Sequence, residues 1–382
     1  MKLLYIVKSI AQYGGLDRVL SEKMNYLAEK LNHDIYLITY EQGNHPFSFP
    51  ISSKIHHYDI NVRFFTIINQ PIYKRIFKYI KMRYNFKKRL HEKIRNINPN
   101  TIICMTDSFP ILNIIIRESI NYNIIIENHV DKCDYLKAPH YKNPLFYQIF
   151  NLFDKYIISQ IKLCNRFIVL TQNDYNSWIN DLPQISIIPN PISYIPDNQS
   201  SLQKKQIISV GRLTYQKGFD LLIKSWKIVS SKHKDWHLCI YGDGNDLTML
   251  QKEIISNDIH NVTIHKAISN IYEKYLESSI YVMSSRYEGF GLVLIEAMSC
   301  GLPCISFDCP SGPSEIIKHG HNGLLVENGN IIKLAENIIY LIENDEARSL
   351  MGNNAKSYIK RYHKDTIMNQ WEQLLKQVIK SK

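Results

Sequence analysis

A chain of 382 residues is long enough for two α/β domains, and its 45% apolar content is that of a soluble globular protein. No apolar run reaches the length that crosses a bilayer, and seven scattered cysteines suggest no disulfide framework, which fits a reducing cytoplasm. A net charge of +11 leaves anionic membranes and polyanionic substrates open as partners, whereas nucleic acid lacks support: there is no zinc spacing, recognition-helix pattern or RNA-binding aromatic string.

The N-terminal run Lys2–Val7 is too short for a secretory signal and reads as a first β-strand. Ser9–Gly15 is a loop, Leu16–Leu31 an amphipathic helix and Asp34–Tyr40 the next strand. Tyr73–Ile97 reads as a helix dominated by basic residues. Its Ile76, Ile80 and Leu90 follow helical spacing, but Arg83 and Lys87 break the stripe, and Tyr79, Tyr84 and Phe86 interleave with the charges. Such a helix suits an anionic membrane surface. Strands recur at Thr101–Met105, Asn123–Glu127, Arg166–Leu170 and Ile185–Ile188. Near-continuous apolar strands alternating with helices predict a parallel sheet covered on both faces.

Pro189–Ser201, rich in Pro, Asn and Ser, reads as a linker. A second β/α series follows, with strands at Gln206–Val210, His237–Tyr241, Val262–His265, Ile280–Met283, Pro303–Phe307 and Gly323–Val326. The chain closes in helices at Ile331–Glu343, Glu346–Arg361 and Thr366–Lys380. Ile367, Trp371, Leu374, Leu375 and Val378 give the last one an apolar stripe too strong for a free tail. The series predict two Rossmann-like, doubly wound domains. Ligands bind at the carboxyl ends of the strands in such sheets, so two such faces would make a cleft.

Chemistry concentrates at strand ends. After Ile280–Met283 comes a loop with Gly289 and Gly291, then a helix over Leu292–Cys300 that stops at Gly301-Leu302-Pro303. Glycines between a strand and a helix bring backbone N–H groups close to an anion, and the helix dipole favours negative charge there, as in a diphosphate. Glu288 precedes those donors, where it could meet sugar hydroxyls. Glu296, in the first turns of the helix, could accept from a ribose. Each acid needs a hydroxyl or a cation nearby. Arg212 and Lys217 share the strand-to-helix loop of Ser209–Asp220, where positive charge would stabilise a departing diphosphate. Gly14 and Gly15 lie in the loop after the first strand, and His129 follows the strand that ends at Glu127. In Tyr241-Gly-Asp-Gly244, Asp243 is expected to cap the following helix.

The string Glu288-Gly-Phe-Gly-Leu-x-x-x-Glu296-Ala-Met resembles the Glu-x7-Glu motif of the retaining glycosyltransferases of family 4, and Gly211-Arg-Leu-x5-Gly resembles the diphosphate segment of the same family. The resemblance implies the GT-B fold: an N-terminal acceptor domain over 1–190, a linker over 191–204, a nucleotide-sugar domain over 205–364 and a final helix, 365–382, returning to the first domain. Arg212, Lys217, Gly289, Phe290, Gly291, Leu292 and Glu296, with Gly15 from the first domain, are then donor-binding. Glu288 and His129 serve the transferred sugar, and the nucleobase lies near His265–Ile268. Asp308–Ile317 departs from the family's Gly-x-Pro-Glu string by one extra residue between Gly312 and Glu315.

The implied reaction is metal-independent, retaining transfer of a hexose or N-acetylhexosamine from a UDP-sugar, with no cofactor. The acceptor is a lipid-diphosphate-linked saccharide at the inner face of the cytoplasmic membrane, as in surface-polysaccharide synthesis. Two other readings remain. A GT-B UDP-sugar epimerase needs the same diphosphate site but other acid and base residues. A non-enzymatic basic module for membranes or nucleic acid explains the charge but not the loops at successive strand ends.

Overall fold

In the computed structural model, which describes residues 1–67, 70–106, 109–130 and 155–380, the run Leu3–Val7 of strand β1 (Lys2–Val7) is entirely buried. Burial on both faces is what a strand without alternating polarity requires. β2 (Asp34–Thr39), β3 (His56–Asp59), β4 (Thr101–Met105), β5 (Asn123–Glu127), β6 (Arg166–Val169) and β7 (Ile185–Ile187) join it in one sheet, ordered β3-β2-β1-β4-β5-β6-β7. All its pairings are parallel. The expected strands are present. β3 was not anticipated, because His-His-Tyr-Asp has no apolar run; it is an edge strand and carries exposed side chains.

Helices cover both faces of this sheet. On one side, α2 (Ile72–Ile97) and α3 (Phe109–Glu118) pack through Phe86, Leu90, Ile94, Ile111, Leu112 and Ile115. On the other, α1 (Gly15–Glu29) contributes Leu20, Met24 and Leu27. The broken stripe of α2 is explained by its two halves: Phe86, Leu90, Ile94 and Ile97 are buried, whereas Tyr73, Ile76, Phe77, Ile80 and Tyr84 are exposed.

The second sheet holds β8 (Gln206–Val210), β9 (His237–Tyr241), β10 (Val262–His265), β11 (Ile280–Met283), β12 (Cys304–Asp308) and β13 (Gly323–Glu327), ordered β10-β9-β8-β11-β12-β13 and again parallel. In both sheets the strand order reverses beside the first strand, between β1 and β4 and between β8 and β11. Those reversals are the places where a doubly wound sheet opens a ligand crevice at its carboxyl edge.

The chain forms two compact units. One comprises Met1–Leu170, Asp174–Pro189 and Asp365–Lys382; the other comprises Thr171–Asn173 and Asn190–Lys364. The stretch read as a linker is pinned to the second unit: Ile192 N–H donates to Tyr362 O at 2.8 Å, and Ser200 N–H donates to Cys300 O at 2.8 Å. The helix expected over Glu346–Arg361 is an α-helix over Asp345–Tyr358 that tightens into a 3₁₀ turn over Ile359–Tyr362. The last helix, Lys364–Lys380, belongs to the first unit. Its Ile367, Met368, Trp371, Leu374, Leu375 and Val378 join the apolar cluster of β1, α1 and β2. Cys104, Cys164, Cys239, Cys300, Cys304 and Cys309 are buried and form no disulfide with one another; Cys133 lies outside the described residues.

Candidate active site

Each unit carries its own group of candidate residues. In the second unit, the loops after β8 and β11 flank the point where strand order reverses. They bring Lys217 and Glu288 together, with Nζ 2.6 Å from Oε1. Ser285 Oγ donates to the same carboxylate oxygen, also at 2.6 Å. Glu288 is therefore a buried carboxylate with one cation and one hydroxyl already on one of its oxygens. Burial, reinforced by the Glu288 charge, pushes the thiol of nearby Cys309 up, so that neighbour stays neutral.

The two loops are stapled to each other. Arg286 makes a bidentate pair with Asp220, at 2.9 and 2.7 Å, donates to Tyr215 O at 2.7 Å and lies over the Tyr215 ring. Burial alone would raise the Asp220 pKa, but the Arg286 guanidinium outweighs it and holds the carboxyl below its ordinary range. Gln216 Nε2 donates to Tyr287 O at 3.2 Å, and the same side chain accepts from Arg212 at 3.2 Å. The close approach depends on Gly218. Its φ of +62° lies in the left-handed region, and a Cβ there would come 2.1 Å from Ser284 O.

The expected strand-loop-helix is present: Gly291, with φ +92°, opens the helix Leu292–Ser299. Glu296 on that helix is buried, and Tyr275 OH donates to its Oε2 at 3.5 Å. The Phe290 ring is buried edge-on against Tyr362, with centroids 5.5 Å apart. What Phe290 offers a ligand is therefore its backbone, together with Gly289, Gly291 and the half-buried Leu292. Asp243 does not cap the helix that follows, Leu247–Ser256; its Oδ2 instead accepts from Ala267 N–H at 3.1 Å, because Asp246 occupies the capping position. Tyr241 and His265 stack, with centroids 4.6 Å apart.

In the first unit, Gly14 caps α1 and Gly15 is its first residue, at the carboxyl end of β1. A Cβ on Gly14 would meet nothing within 4 Å, so that backbone borders open space. His129, just beyond β5, has its Nε2 3.3 Å from Glu127 Oε2. The other oxygen of Glu127 pairs with Lys23 Nζ, and both residues are buried. Asn128 between them is held by Thr106 Oγ at 2.8 Å and by Asp174 at 2.9 Å.

Of the residues singled out in the sequence, the structure brings Lys217 and Glu288 into contact; Ser285, Tyr275, the Asp220–Arg286 pair and Lys23, which surround the candidate residues, were not singled out. Lys23 left a readable signal: a lysine among Val19, Leu20, Met24 and Leu27 on the buried stripe of an amphipathic helix.

Residues 193–358 match the family model described as glycosyl transferases group 1. The chain is similar along its length to an uncharacterized glycosyltransferase of Haemophilus influenzae, 28% identical over 98% of this chain and 99% of that one. It is also 26% identical to the amylovoran biosynthesis glycosyltransferase AmsD of Erwinia amylovora, over 98% of this chain and 99% of that one. Among solved structures, it is similar to an S. aureus TarM variant in complex with fondaparinux, alpha-GlcNAc-glycerol and UDP. The TM-score is 0.74 at 18% identity, over 98% of this chain and 100% of that one. At that identity the likeness is one of fold, and the fold is GT-B.

Proposed function

We propose that this glycosyltransferase moves a hexose or N-acetylhexosamine from a UDP-sugar, with retention of configuration, to a lipid-linked saccharide in the synthesis of a bacterial surface polysaccharide. The observation that carries the reading is the Lys217–Glu288 contact where strand order reverses, beside a glycine-capped helix. Glycine-exposed N–H groups, Arg212 and Lys217 suit a diphosphate whose charge grows as the glycosidic bond breaks. The donor is bound without a metal in this reading. Glu288, already engaged by Lys217 and Ser285, is poorly suited to attack an anomeric carbon and well suited to orient sugar hydroxyls. Retention then follows from departure and attack on one face through an oxocarbenium-like state, the leaving phosphate taking the acceptor proton. Glu296 accepts from the ribose, and His129 meets the transferred sugar.

The amylovoran biosynthesis relative supports the polysaccharide role, and the UDP in the TarM complex supports the donor class. The exposed half of α2 supports work at the inner face of the cytoplasmic membrane. Tyr73, Ile76, Phe77, Ile80 and Tyr84 recur at helical spacing among Lys74, Arg75, Lys78 and Lys81, an apolar stripe framed by cations.

The test is incubation of the purified chain with a panel of UDP-sugars and lipid-diphosphate saccharides, read by mass spectrometry with and without EDTA. Transfer of one sugar in the α configuration from an α-linked donor, undiminished by chelator, is expected. Absence of both transfer and donor hydrolysis across the panel overturns the reading, and activity that vanishes with EDTA and returns with Mg²⁺ or Mn²⁺ overturns its metal-independent part.

A further inference from the structure

A lysine on the buried stripe of an amphipathic helix needs a reason, since desolvating its charge is costly unless a partner repays it. Lys23 is fully enclosed. Its ammonium pairs with Glu127, lies 4.2 Å over the Trp371 ring of the last helix and sits 5.4 Å from the Tyr5 ring of β1. Glu127 is equally buried, and it is the last residue of β5. Burial alone would raise its pKa, but Lys23 and His129 together hold it low, so it stays a carboxylate. Its two oxygens face two ways: Oε1 to Lys23 in the core, Oε2 to Nε2 of His129 at the strand's end. An apolar residue at either position would fill the core without this arrangement.

We propose that Lys23 and Glu127 are positioning residues for His129: the buried ion pair fixes the Glu127 carboxylate, which in turn holds the imidazole in the Nε2–H tautomer and presents Nδ1 as the working nitrogen. The proposal rests on the reading of His129 as a group that meets the transferred sugar. Trp371 extends the chain of contacts, because its ring limits where the Lys23 ammonium can sit. A carboxylate that orients a histidine by accepting from one ring nitrogen sets which nitrogen works.

The test reads the ring itself. In the full-length chain labelled with ¹⁵N-histidine, and with the His129 signal assigned by its loss in His129→Gln, the wild type is expected to show the Nε2–H tautomer. A different tautomer in the wild type overturns the proposal without any variant having to fold. Replacing both partners together, Lys23→Met with Glu127→Leu, avoids leaving one buried charge alone. This pair is expected to yield mixed tautomers, and an unchanged His129 signal overturns the proposal. Release of UDP from a panel of UDP-hexoses and UDP-N-acetylhexosamines supplies the second readout. The paired variant is expected to lose about tenfold to a hundredfold in kcat with KM little changed, as misplaced reacting groups do. The paired change should add little to His129→Ala, whereas additive losses show that the pair does not act through His129. If His129→Ala turns over normally while the tautomer result stands, it is the reading of His129 as a sugar-contacting group that fails.

Discussion

Lys217 carries one positive charge and faces two claims on it, Glu288 in the structure and the diphosphate in the proposed reaction. Lys217→Ala would remove both contacts and leave Glu288 buried beside Ser285, whereas Arg212→Ala would remove an exposed cation that bonds Gln216. We expect both substitutions to lower kcat/KM for the UDP-sugar, Lys217→Ala by about a hundredfold or more and Arg212→Ala by less. Steady-state kinetics of the two variants checks the order, and equal losses would show that the Glu288 contact is incidental. Asp220 makes a pH prediction. Because Arg286 holds its folded pKa below the ordinary value of about 3.9, its stabilising contribution is complete above that value and is lost as pH falls through the lowered one. The melting-temperature gap between wild type and Asp220→Asn should therefore be full at pH 6 and close below about pH 4. The sequence made Arg212, Lys217 and Glu288 legible because each sits in a strand-loop-helix with glycines. It hid the Asp220 and Arg286 pairing, because the partners are far apart in the chain and nothing local marks either one.

Elements were legible in proportion to their apolar patterning. β1, β4, β5 and β11 read directly from unbroken apolar runs, whereas β3 shows no such run and owes its existence to pairing with β2. α2 was visible as a basic helix, but which of its apolar residues face the core depends on where the sheet lies, and that is not written in the helix. Its exposed stripe predicts binding to vesicles. Wild type should cosediment with vesicles rich in phosphatidylglycerol, less with pure phosphatidylcholine, and be released by salt. Phe77→Glu with Ile80→Glu should reduce binding at least about tenfold without changing the melting temperature, since both side chains are already exposed. A wild type that ignores anionic vesicles would refute the membrane assignment.

For the molecule as a whole, the doubly wound pattern and the two-part division followed from strand and helix alternation, while the destination of the final helix required the family resemblance. An apolar stripe announces that a helix is covered and is silent about what covers it. In the structure, the helix Lys364–Lys380 completes the first unit's core, with Ile367, Met368 and Leu375 among its buried residues. A chain ending at Lys364 should therefore uncover Leu20, Met24 and Leu27 of α1 together with Lys23. We expect it to bind the dye ANS strongly, to melt well below the full chain and to lose UDP-sugar turnover. A truncated chain with unchanged melting and kinetics would show the helix to be dispensable.

That arrangement also sets an order on the making of the protein. The first unit closes only with residues from 365 onward, so its first 189 residues must wait while 176 more are polymerised (365 − 189). At about 5–20 residues per second this is an interval of roughly 9–35 s. Throughout it, α1 and the face of the sheet beneath it lack their cover, and Lys23 has Glu127 but no Trp371 above it. The second unit, contiguous from residue 190 to 364 apart from Thr171–Asn173, has all its residues before the first unit does. The N-terminal half is synthesised first and completed last, and during that wait its exposed apolar face is a target for chaperones.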